Sequence, residues 1–562
     1  MKQNGNVTAL KWIWTISGNA KLWPFLLTLV RISQGCVAIL YAHALGAVVD
    51  AAASGNMGAF TRTFGLFALY NVSSILLLLL NRYLSEKSKN AQDKAFRMRV
   101  FSQLLRRDYS QVSRTHTGEW MNRITSDTEI IARGVSQIIP ETIGALVRVA
   151  GALLSLLQVI PQLLYLIVPG GLLMGGISVL LQKRLKQYHK NVQNAEGTTR
   201  SFMQERLYSL LVIHSFTQEA ATEAMAGRQM DRLNAARMRR QRFSIFCAGA
   251  INGAMVLAQL CGIGLCGLGI LNGSVTYGTM SIVLYLVNML EAPLSTVSTY
   301  ISQYYAMIAS AERLMEIEAC QLDSPGVPVE QEEIHRYYEE QFDAFGLEHA
   351  DFAYEDTEGS EVLRDFSLMV RKGEFVAFTG ESGCGKSTTL KVLLSLYPLK
   401  NGSAYLQSRD GTRKTLDAAW RGMFAYVPQG NQLISGTVRE TLTFSDPEQM
   451  AQEEKIYRAL EIVCADGFVK ALPNGLDTVL GERGCGLSEG QMQRLSVARA
   501  ILSGRPVLLL DESTSALDAA TEVQLLENLR GMTDRTVLII THREMALEFC
   551  DKRIHFAKPT QK

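Results

Sequence analysis

The residues most able to do chemistry form a glycine-rich loop in the second half of the chain. A strand-like run at 374–379 precedes this loop and an apolar helical segment at 389–396 follows it. Its sequence matches G-x-x-x-x-G-K-[ST] and reads Gly380-Glu381-Ser382-Gly383-Cys384-Gly385-Lys386-Ser387-Thr388. Glycines let such a loop wrap around phosphates, with its N–H groups and the positive end of the helix pointing inward. Lys386 would reach the β- and γ-phosphates and Ser387 would ligate Mg²⁺, so the loop predicts binding of a nucleotide.

Two acids follow an apolar run further along the chain. Residues 507–510 read as a buried strand, and Asp511 and Glu512 come directly after it. At the carboxyl end of a parallel strand, two acids lie beside a phosphate-binding loop. Asp511 would orient the Mg²⁺ shell, and Glu512 would polarise the attacking water. A purely structural role explains the pair poorly, because uncompensated acids at the end of a buried strand are costly.

The first half of the chain predicts membrane spans. A helix needs about 20 mostly apolar residues to cross a bilayer. Six stretches qualify, at 22–49, 60–84, 135–160, 162–181, 243–271 and 277–300. Hydrophobic residues make up 47% of the chain, charged residues 20%, and the mean hydropathy is +0.07. These values fit a membrane part joined to a soluble part, and the net charge of +2 does not suggest nucleic acid as a partner.

The charges of the loops predict the orientation. The segments 82–133 and 183–242 are rich in lysine and arginine, whereas the short turns between the other spans carry almost no charge. The positive-inside rule places both basic segments, both termini and the nucleotide-binding part in the cytoplasm of a multi-pass cell-membrane protein. Helical spacing of apolar residues in these arms predicts that the spans continue as long helices, with turns near 109–117 and 206–214. The alternative is a solvated face that rests on anionic lipid.

Other features of the sequence bound the interpretation. Nine cysteines without a C-x-x-C pair predict neither a disulfide framework nor a zinc site. No signal peptide is expected, and residues 10–21, with Trp12 and Trp14, predict a short interfacial helix. Among polar residues inside the spans, Arg31, Arg148 and Glu291 are candidates for lining a substrate path; the alternative for each is snorkelling or a structural ion pair.

With these residues in view, the chain resembles the ABC transporter superfamily, in particular half-size exporters of the multidrug, lipid or peptide type. The phosphate loop and the acids after residue 510 match its cassette in order and spacing. The further matches are Tyr354, Tyr426-Val427-Pro428-Gln429 (the Q-loop), Gly481-Glu482-Arg483-Gly484, Leu487-Ser488-Glu489-Gly490-Gln491 (the signature), Ser515-Ala516-Leu517-Asp518 (the D-loop), Thr541-His542 (the switch histidine), and Glu119 with Arg123 to Asp127 in the arm.

The resemblance implies a fold and a set of roles. The fold is an all-α six-helix transmembrane domain (1–314), a linker (315–344) and an α/β P-loop nucleotide-binding domain (345–562). Tyr354 would stack on adenine. Gln429 would contact Mg²⁺ and the attacking water, and His542 would complete a catalytic group with Glu512 and Lys386. Ser488, Gly490 and Gln491 would close the ATP site of a second, facing cassette, and the cytoplasmic turns would dock on the cassettes.

The resemblance also implies ATP-driven export or flipping of an amphipathic or hydrophobic substrate by a dimer with alternating access. The signature departs from LSGGQ at Glu489, which places an acid near polyphosphate. A homodimer is favoured over a heterodimer, although the altered signature residue Glu489 shifts the balance toward a heterodimer. The alternatives are an exporter-fold importer of the siderophore type and a nucleotide-gated channel or regulator. A peptidase-fused exporter is disfavoured because about 20 residues precede the first span, and the sequence does not identify the cargo.

Overall fold

The computed structural model of the chain describes residues 2–323, 327–354, 361–430, 433–481 and 486–557. It divides into two compact units, Met1–Gln103 with Thr117–Ala319, and Leu104–His116 with Cys320–Lys562. The first unit is helical, and the second combines helices with β-sheets. The predicted fold class, a helical membrane domain followed by an α/β domain, is confirmed.

Long helices make up the first unit. Its helices, together with α4 of the second unit, are α1 (Lys2–Ser17), α2 (Leu22–Ala53), α3 (Met57–Leu104), α4 (Tyr109–Val112), α5 (Thr117–Asn122), α6 (Thr128–Val159), α7 (Pro161–Tyr208), α8 (Leu210–Ser215), α9 (Glu219–Leu271) and α10 (Tyr277–Ala319). Helices α3, α7 and α9 contain 48, 48 and 53 residues, more than twice what a bilayer needs. The prediction that the spans continue as long helices is therefore confirmed.

Each of the six predicted spans falls on one of these long helices. Among the described residues, four helical stretches are long and apolar enough to cross a membrane, and 277–290 is a shorter apolar one. The four are Val7–Ala53, Met57–Leu104, Thr117–Val159 and Glu219–Leu271. The side chains of residues 170–183 and 291–299 lie outside the described set. The candidate Glu291 is among these residues.

The predicted interfacial helix is α1, continued by a short 3₁₀ turn at Gly18–Lys21. Trp12 Nε1 donates a 2.8 Å hydrogen bond to Glu318, near the end of α10, and Arg99 Nε donates a second 2.8 Å bond to the same carboxylate. The Lys21 ammonium lies 4.9 Å from the centroid of the Trp14 ring. Glu318 thus ties α1 and α3 to the end of α10.

Helices α2 and α6 pack side by side at glycines. A Cβ at Gly35 would lie 3.0 Å from Val147, and one at Gly151 would overlap Ile39. Further along, His43 Nε2 lies 3.3 Å from Ser155 Oγ. These pairs share a separation of 112 residues, which means that the two helices run parallel in constant register. Small residues at such a seam let the backbones approach closely.

The basic arm that links the second and third predicted spans contains a π-helical turn, Arg123–Asp127, between α5 and α6. Asp127 is buried there, accepts a 2.8 Å bond from Ser310 and pairs with Arg313 at 2.5 Å. Arg123 pairs with Glu119 at 2.7 Å and with Glu316 at 3.0 Å. The arm residues singled out in the sequence therefore anchor this turn to α10.

In its described residues, the second unit contains one parallel sheet and two antiparallel sheets. The strands are β1 (Phe342–Ala353), β2 (Glu361–Arg371), β3 (Phe375–Gly380), β4 (Asn401–Ser408), β5 (Arg413–Thr415), β6 (Phe424–Val427), β7 (Gly436–Thr437), β8 (Val479–Leu480), β9 (Val507–Asp511), β10 (Thr536–Ile540) and β11 (Lys552–Phe556). The parallel sheet has the order β11-β3-β10-β9-β6, and the larger antiparallel sheet has the order β2-β1-β4-β5. The smaller antiparallel sheet pairs β7 with β8. Strands β9 and β10 are buried along their whole length, as continuous apolar runs in a parallel sheet predict.

The helices of this unit cover the sheets. They are α11 (Gln331–Glu340), α12 (Lys386–Leu393), α13 (Val438–Leu442), α14 (Glu453–Ile462), α15 (Asp466–Ala471), α16 (Glu489–Leu502), α17 (Ala519–Arg530) and α18 (Glu544–Glu548). Helix α11 lies within the stretch predicted as a linker. The eight cysteines for which the structure gives a state are free thiols.

Candidate functional site

The phosphate loop joins β3 to α12 at the carboxyl edge of the parallel sheet. Asp511 at the end of β9 is level with Ile540 of β10, which is level with Phe378 of β3. Because parallel strands end at the same edge, the loop and the acids lie together, as predicted. The loop glycines need left-handed backbone: φ is +133° at Gly380 and +102° at Gly385.

Lys386 is buried and folded back onto its own loop. Its ammonium donates 2.8 Å hydrogen bonds to the carbonyl oxygens of Gly380 and Glu381. The loop tip, Glu381 to Gly383, is exposed, whereas the Cys384 side chain is 2% exposed. The Lys386 ammonium is thus hydrogen-bonded inside its own loop. The Cys384 thiol is therefore shielded from solvent.

Ser387 and Asp511 form the pair predicted to hold a metal. Ser387 Oγ donates a 2.9 Å bond to one oxygen of Asp511, and the Tyr426 hydroxyl donates a 3.1 Å bond to the other. Burial raises the pKa of the Asp511 carboxyl, and burial together with the Asp511 charge raises the pKa of Tyr426. Hydroxyl and carboxylate oxygens are the ligands that Mg²⁺ prefers, so the donor set fits this ion.

Glu512, Gln429 and His542 come together beside this pair. The Gln429 side chain donates a 2.6 Å hydrogen bond to Glu512 Oε2, and His542 Nε2 lies 3.7 Å from Glu512 Oε1. Glu512 has a φ of +50°, which is strained for a residue with a side chain. Its N–H donates to the Ile540 carbonyl at 3.2 Å, which fixes this conformation. Strain of this kind is stored at functional sites.

The predicted adenine-stacking residue, Tyr354, lies at the other side of the loop. Its hydroxyl is 3.1 Å from Thr388 Oγ1, and its ring meets Phe352 and Tyr397 edge-on. The tyrosine is therefore positioned by α12 and by an aromatic cluster. Its stacking on a base stays a prediction.

The signature residues begin α16. Ser488 is the N-cap: its hydroxyl accepts from the Gln491 N–H at 3.3 Å, and the Gln491 side chain accepts from the Ser488 N–H at 2.9 Å. Glu489 is the exposed first residue of the helix, where the helix dipole favours an acid. A Cβ at Gly490 would lie 2.9 Å from the Ala516 carbonyl oxygen. Of the preceding motif, Glu482, Arg483 and Gly484 lie outside the described residues.

A network that the sequence analysis missed connects the signature helix with the D-loop. Gln493 donates to Ser515 Oγ at 3.0 Å and accepts from the Ala516 N–H at 2.9 Å. Arg543, next to the switch histidine, donates to the Ser515 and Leu517 carbonyls at 2.6 and 2.8 Å. No short motif marks these residues, because each acts across the tertiary fold rather than within a run of sequence.

Arg543 also pairs with a buried acid. It lies 2.7 Å from Glu522, whose side chain is 2% exposed and which also accepts a 2.7 Å bond from Thr514. Arg543 therefore connects the backbone of the turn after Glu512 with the buried carboxylate of Glu522. The D-loop is fixed by α17 on one side and by α16 on the other.

The first predicted cytoplasmic turn contacts the cassette. The Tyr109 ring of α4 lies edge-on to Tyr397 with 5.9 Å between centroids, and Ser113 Oγ lies 3.4 Å from the Tyr397 hydroxyl. The Asp108 N–H donates to the Gln321 carbonyl at 3.0 Å. A cavity of about 670 Å³ is lined by Tyr109 together with Ser387, Tyr426, Gln429 and Asp511. Tyr109 of this turn thus lines the same cavity as the residues predicted to hold the metal.

Comparisons with known families cover most of the chain. Residues 25–294 match the model of the ABC transporter transmembrane region, and residues 363–515 match the ABC transporter model. These two ranges contain the predicted spans, except the first few residues of the first and the last few of the sixth, and the cassette from the phosphate loop to Glu512. They agree with the family resemblance inferred from the motifs.

Individual relatives and a solved structure agree with these matches. The chain is 30% identical over 469 residues to ATP-binding cassette sub-family B member 10, mitochondrial, of mouse. The aligned region covers 82% of this chain and 64% of that protein. It is 29% identical over 504 residues to the multidrug resistance ABC transporter ATP-binding and permease protein of Lactococcus lactis, covering 87% and 80%. The structure of a bacterial Atm1-family ABC exporter with ATP bound superposes with a TM-score of 0.78 at 20% identity, covering 97% and 94%.

Proposed function

The chain belongs to the ABC transporter family, and on that premise we propose that it is one half of a dimeric exporter that couples ATP hydrolysis to movement of an amphipathic or hydrophobic molecule across the cell membrane. The membrane-spanning helices would form the path, and the cassette would lie in the cytoplasm, as the basic arms suggest. The mouse relative is longer than the matched segment, so activity and substrate are inferred for this chain from its own residues.

The observation that carries the proposal is the arrangement around Glu512. Its carboxylate is held by Gln429 at 2.6 Å and lies next to the Ser387–Asp511 pair in sequence and in space. Glu512 is therefore oriented to accept a proton from an attacking water, while Lys386 brings positive charge to the phosphates. A bound Mg²⁺ would neutralise phosphate charge at Ser387 and Asp511.

A second half is proposed on two grounds. The signature serine, Ser488, caps α16, whose N-terminal N–H groups suit a phosphate brought by a facing cassette. In the first unit, the arm around α8 exposes large apolar side chains, among them Leu211 at 82% and Phe216 at 70%. Apolar exposure of this kind outside the bilayer favours a protein partner. A homodimer is the simpler assembly, and the departure of Glu489 from the signature is the feature that favours a heterodimer.

Reconstitution tests this function. Purified chain in proteoliposomes is expected to release phosphate from ATP only as a dimer, with turnover stimulated by an amphipathic substrate. ATP-dependent uptake of that labelled substrate into inside-out vesicles would support export. Uptake in right-side-out vesicles instead would indicate an importer, and absence of ATPase activity from every dimeric preparation would contradict the proposal.

A further inference from the structure

Tyr426 of β6 reaches the acid at the end of the neighbouring strand. In the parallel sheet, Tyr426 is level with Leu509, two residues before Asp511. The Tyr426 hydroxyl spans this offset and donates its 3.1 Å hydrogen bond to Asp511 Oδ2, whereas Ser387 Oγ donates its 2.9 Å bond to Oδ1. The Asp511 carboxylate is therefore held at both oxygens, by the phosphate loop at one and by the sheet at the other.

The two donors differ in what they can do for an ion. Ser387 keeps its oxygen lone pairs while it donates its proton, so the same hydroxyl can bind Asp511 and ligate Mg²⁺. A carboxylate held at a single oxygen can still turn about that one hydrogen bond. A second donor at the other oxygen fixes the plane of the carboxylate, and Tyr426 supplies this donor.

The burial of Asp511 makes the second donor important. Asp511 is 1% exposed, and a buried carboxylate oxygen that lacks a donor is costly. Residues that hydrogen-bond a metal ligand from behind orient it toward the ion, and their loss typically lowers metal affinity by about 10- to 100-fold. The Tyr426 hydroxyl is therefore placed to influence the metal site without being a ligand itself.

The segment that carries Tyr426 also orients the second acid of the site. Gln429, three residues further along, donates its 2.6 Å hydrogen bond to Glu512. Pro428 lies between the two residues, and its ring restricts the backbone of the segment. One short segment thus holds the acid predicted to bind the metal through Tyr426, and the acid predicted to accept a proton through Gln429.

We propose that Tyr426 is a positioning residue for the metal: its hydroxyl fixes the Asp511 carboxylate in the orientation that binds the Mg²⁺ of Mg-ATP, and so sets the affinity of the site for that ion. This inference rests on the proposed transport function, which uses Mg²⁺ and ATP, and it adds a residue to the predicted ligands Ser387, Gln429 and Asp511. It separates two effects, because loss of the hydroxyl should weaken metal binding and spare nucleotide binding.

The test measures metal binding without turnover. Manganese ion, whose free form is counted by electron paramagnetic resonance, is titrated into the full-length protein in phosphatidylcholine nanodiscs with a nonhydrolysed imido analogue of ATP bound. Tyr426→Phe should raise the dissociation constant for Mn²⁺ about 10-fold. A fluorescent ATP analogue titrated in EDTA should bind this variant as it binds the wild type. In ATPase assays, the Mg²⁺ concentration for half-maximal activity should rise by a similar factor, with kcat at saturating Mg²⁺ nearly unchanged.

Two control variants separate this role from general damage to the cassette. Tyr337→Phe is the matched control, because the buried Tyr337 hydroxyl also lies 3.1 Å from a partner, Ser408 Oγ, and this variant should leave Mn²⁺ affinity unchanged. Asp511→Asn should lose Mn²⁺ affinity by itself. Adding Tyr426→Phe to Asp511→Asn should cause less than about a twofold further loss, because the tyrosine acts through that carboxylate.

Each result supports or overturns the proposal. Wild-type Mn²⁺ affinity in Tyr426→Phe, an equal loss in Tyr337→Phe, or a full further loss in the Asp511→Asn background would overturn it. An equal loss of nucleotide affinity in EDTA would assign Tyr426 to the nucleotide and would also overturn it. Because the binding measurements require no hydrolysis, a protein that shows the Tyr426 effect but no ATPase activity would contradict the transport function while supporting this role.

Discussion

The Gln429 side chain donates a 2.6 Å hydrogen bond to the Glu512 carboxylate, and His542 lies 3.7 Å from the other oxygen of that group. Gln429 follows β6, Glu512 follows β9 and His542 follows β10. Residues after the ends of three strands therefore meet at the Glu512 carboxylate. Since β6 also carries Tyr426, which binds Asp511, a shift of this strand would move the groups around both acids at once.

Glu512→Gln is expected to retain ATP binding and to lose at least about 100-fold in turnover, because the amide keeps the shape of the side chain but cannot accept a proton. Phosphate release and binding of a fluorescent ATP analogue measure the two effects separately. Glu544→Gln, at an exposed acid on α18, is the control. ATPase activity close to wild type in Glu512→Gln would remove Glu512 from the mechanism.

Asp511→Asn is expected to stabilise the nucleotide-free protein at neutral pH. Burial raises the pKa of Asp511 above that of an unfolded aspartate, so the folded state binds the proton more tightly. The contribution of Asp511 to stability is therefore highest below the unfolded pKa and falls as pH rises through the folded pKa. The neutral asparagine avoids the free-energy cost of burying a charged carboxylate. Each kcal/mol gained in this way should raise the Tm by about 2–4 °C.

Thermal unfolding without nucleotide, at pH 7.5 and at acidic pH, measures this difference. The advantage of Asp511→Asn should shrink as the pH falls, because the wild-type carboxyl is then protonated as well. Addition of Mg²⁺ and ATP should raise the Tm of the wild type only. A variant less stable than wild type at pH 7.5 would contradict the raised pKa.

Arg543→Ala is expected to destabilise the cassette by about 2 kcal/mol. Breaking a buried ion pair costs about 3–5 kcal/mol, and the partial exposure of Arg543 reduces that figure. Chemical denaturation measures the change, and Arg458→Ala serves as the control because its pair with Glu454 is fully on the surface. The double variant Arg543→Ala/Glu522→Gln should recover part of the loss, since no buried charge is then left unpaired. Equal effects of Arg543→Ala and Arg458→Ala would argue against a structural role for the D-loop network.

Glu489→Gln is expected to increase the apparent affinity for ATP several-fold while slightly lowering the stability of the cassette. The acid at the first residue of α16 stabilises the helix by about 0.3–1 kcal/mol, and it occupies the positive helix end that a facing phosphate would use. ATPase titrations at fixed Mg²⁺ measure the affinity, and thermal unfolding measures the stability. Unchanged affinity would mean that Glu489 points away from the nucleotide in the assembled dimer.

The sequence identified the site where chemistry follows from a run of neighbouring residues. Lys386, Ser387 and Asp511 were predicted because strand, loop and helix fix their positions locally, and the structure brings them together. Tyr426 was noticed only as part of a motif, and its bond to Asp511 depends on β6 lying next to β9 in the sheet. Gln493 and Arg543 were missed for the same reason. In the membrane half, Arg31 and Arg148 were predicted as polar positions, but their proximity depends on the packing of α2 on α6.

The constant register of α2 on α6 has a mechanical consequence. Val147 packs against Gly35, and Ile39 packs against Gly151. A slide of α2 along α6 by a single residue would therefore press a branched side chain against a helix backbone. The smallest permitted slip is a whole turn, about 5.4 Å, and it would have to break the Arg31–Glu141 pair. The close contacts at Gly35 and Gly151 therefore disfavour sliding of α2 along α6 and favour movement of the two helices together.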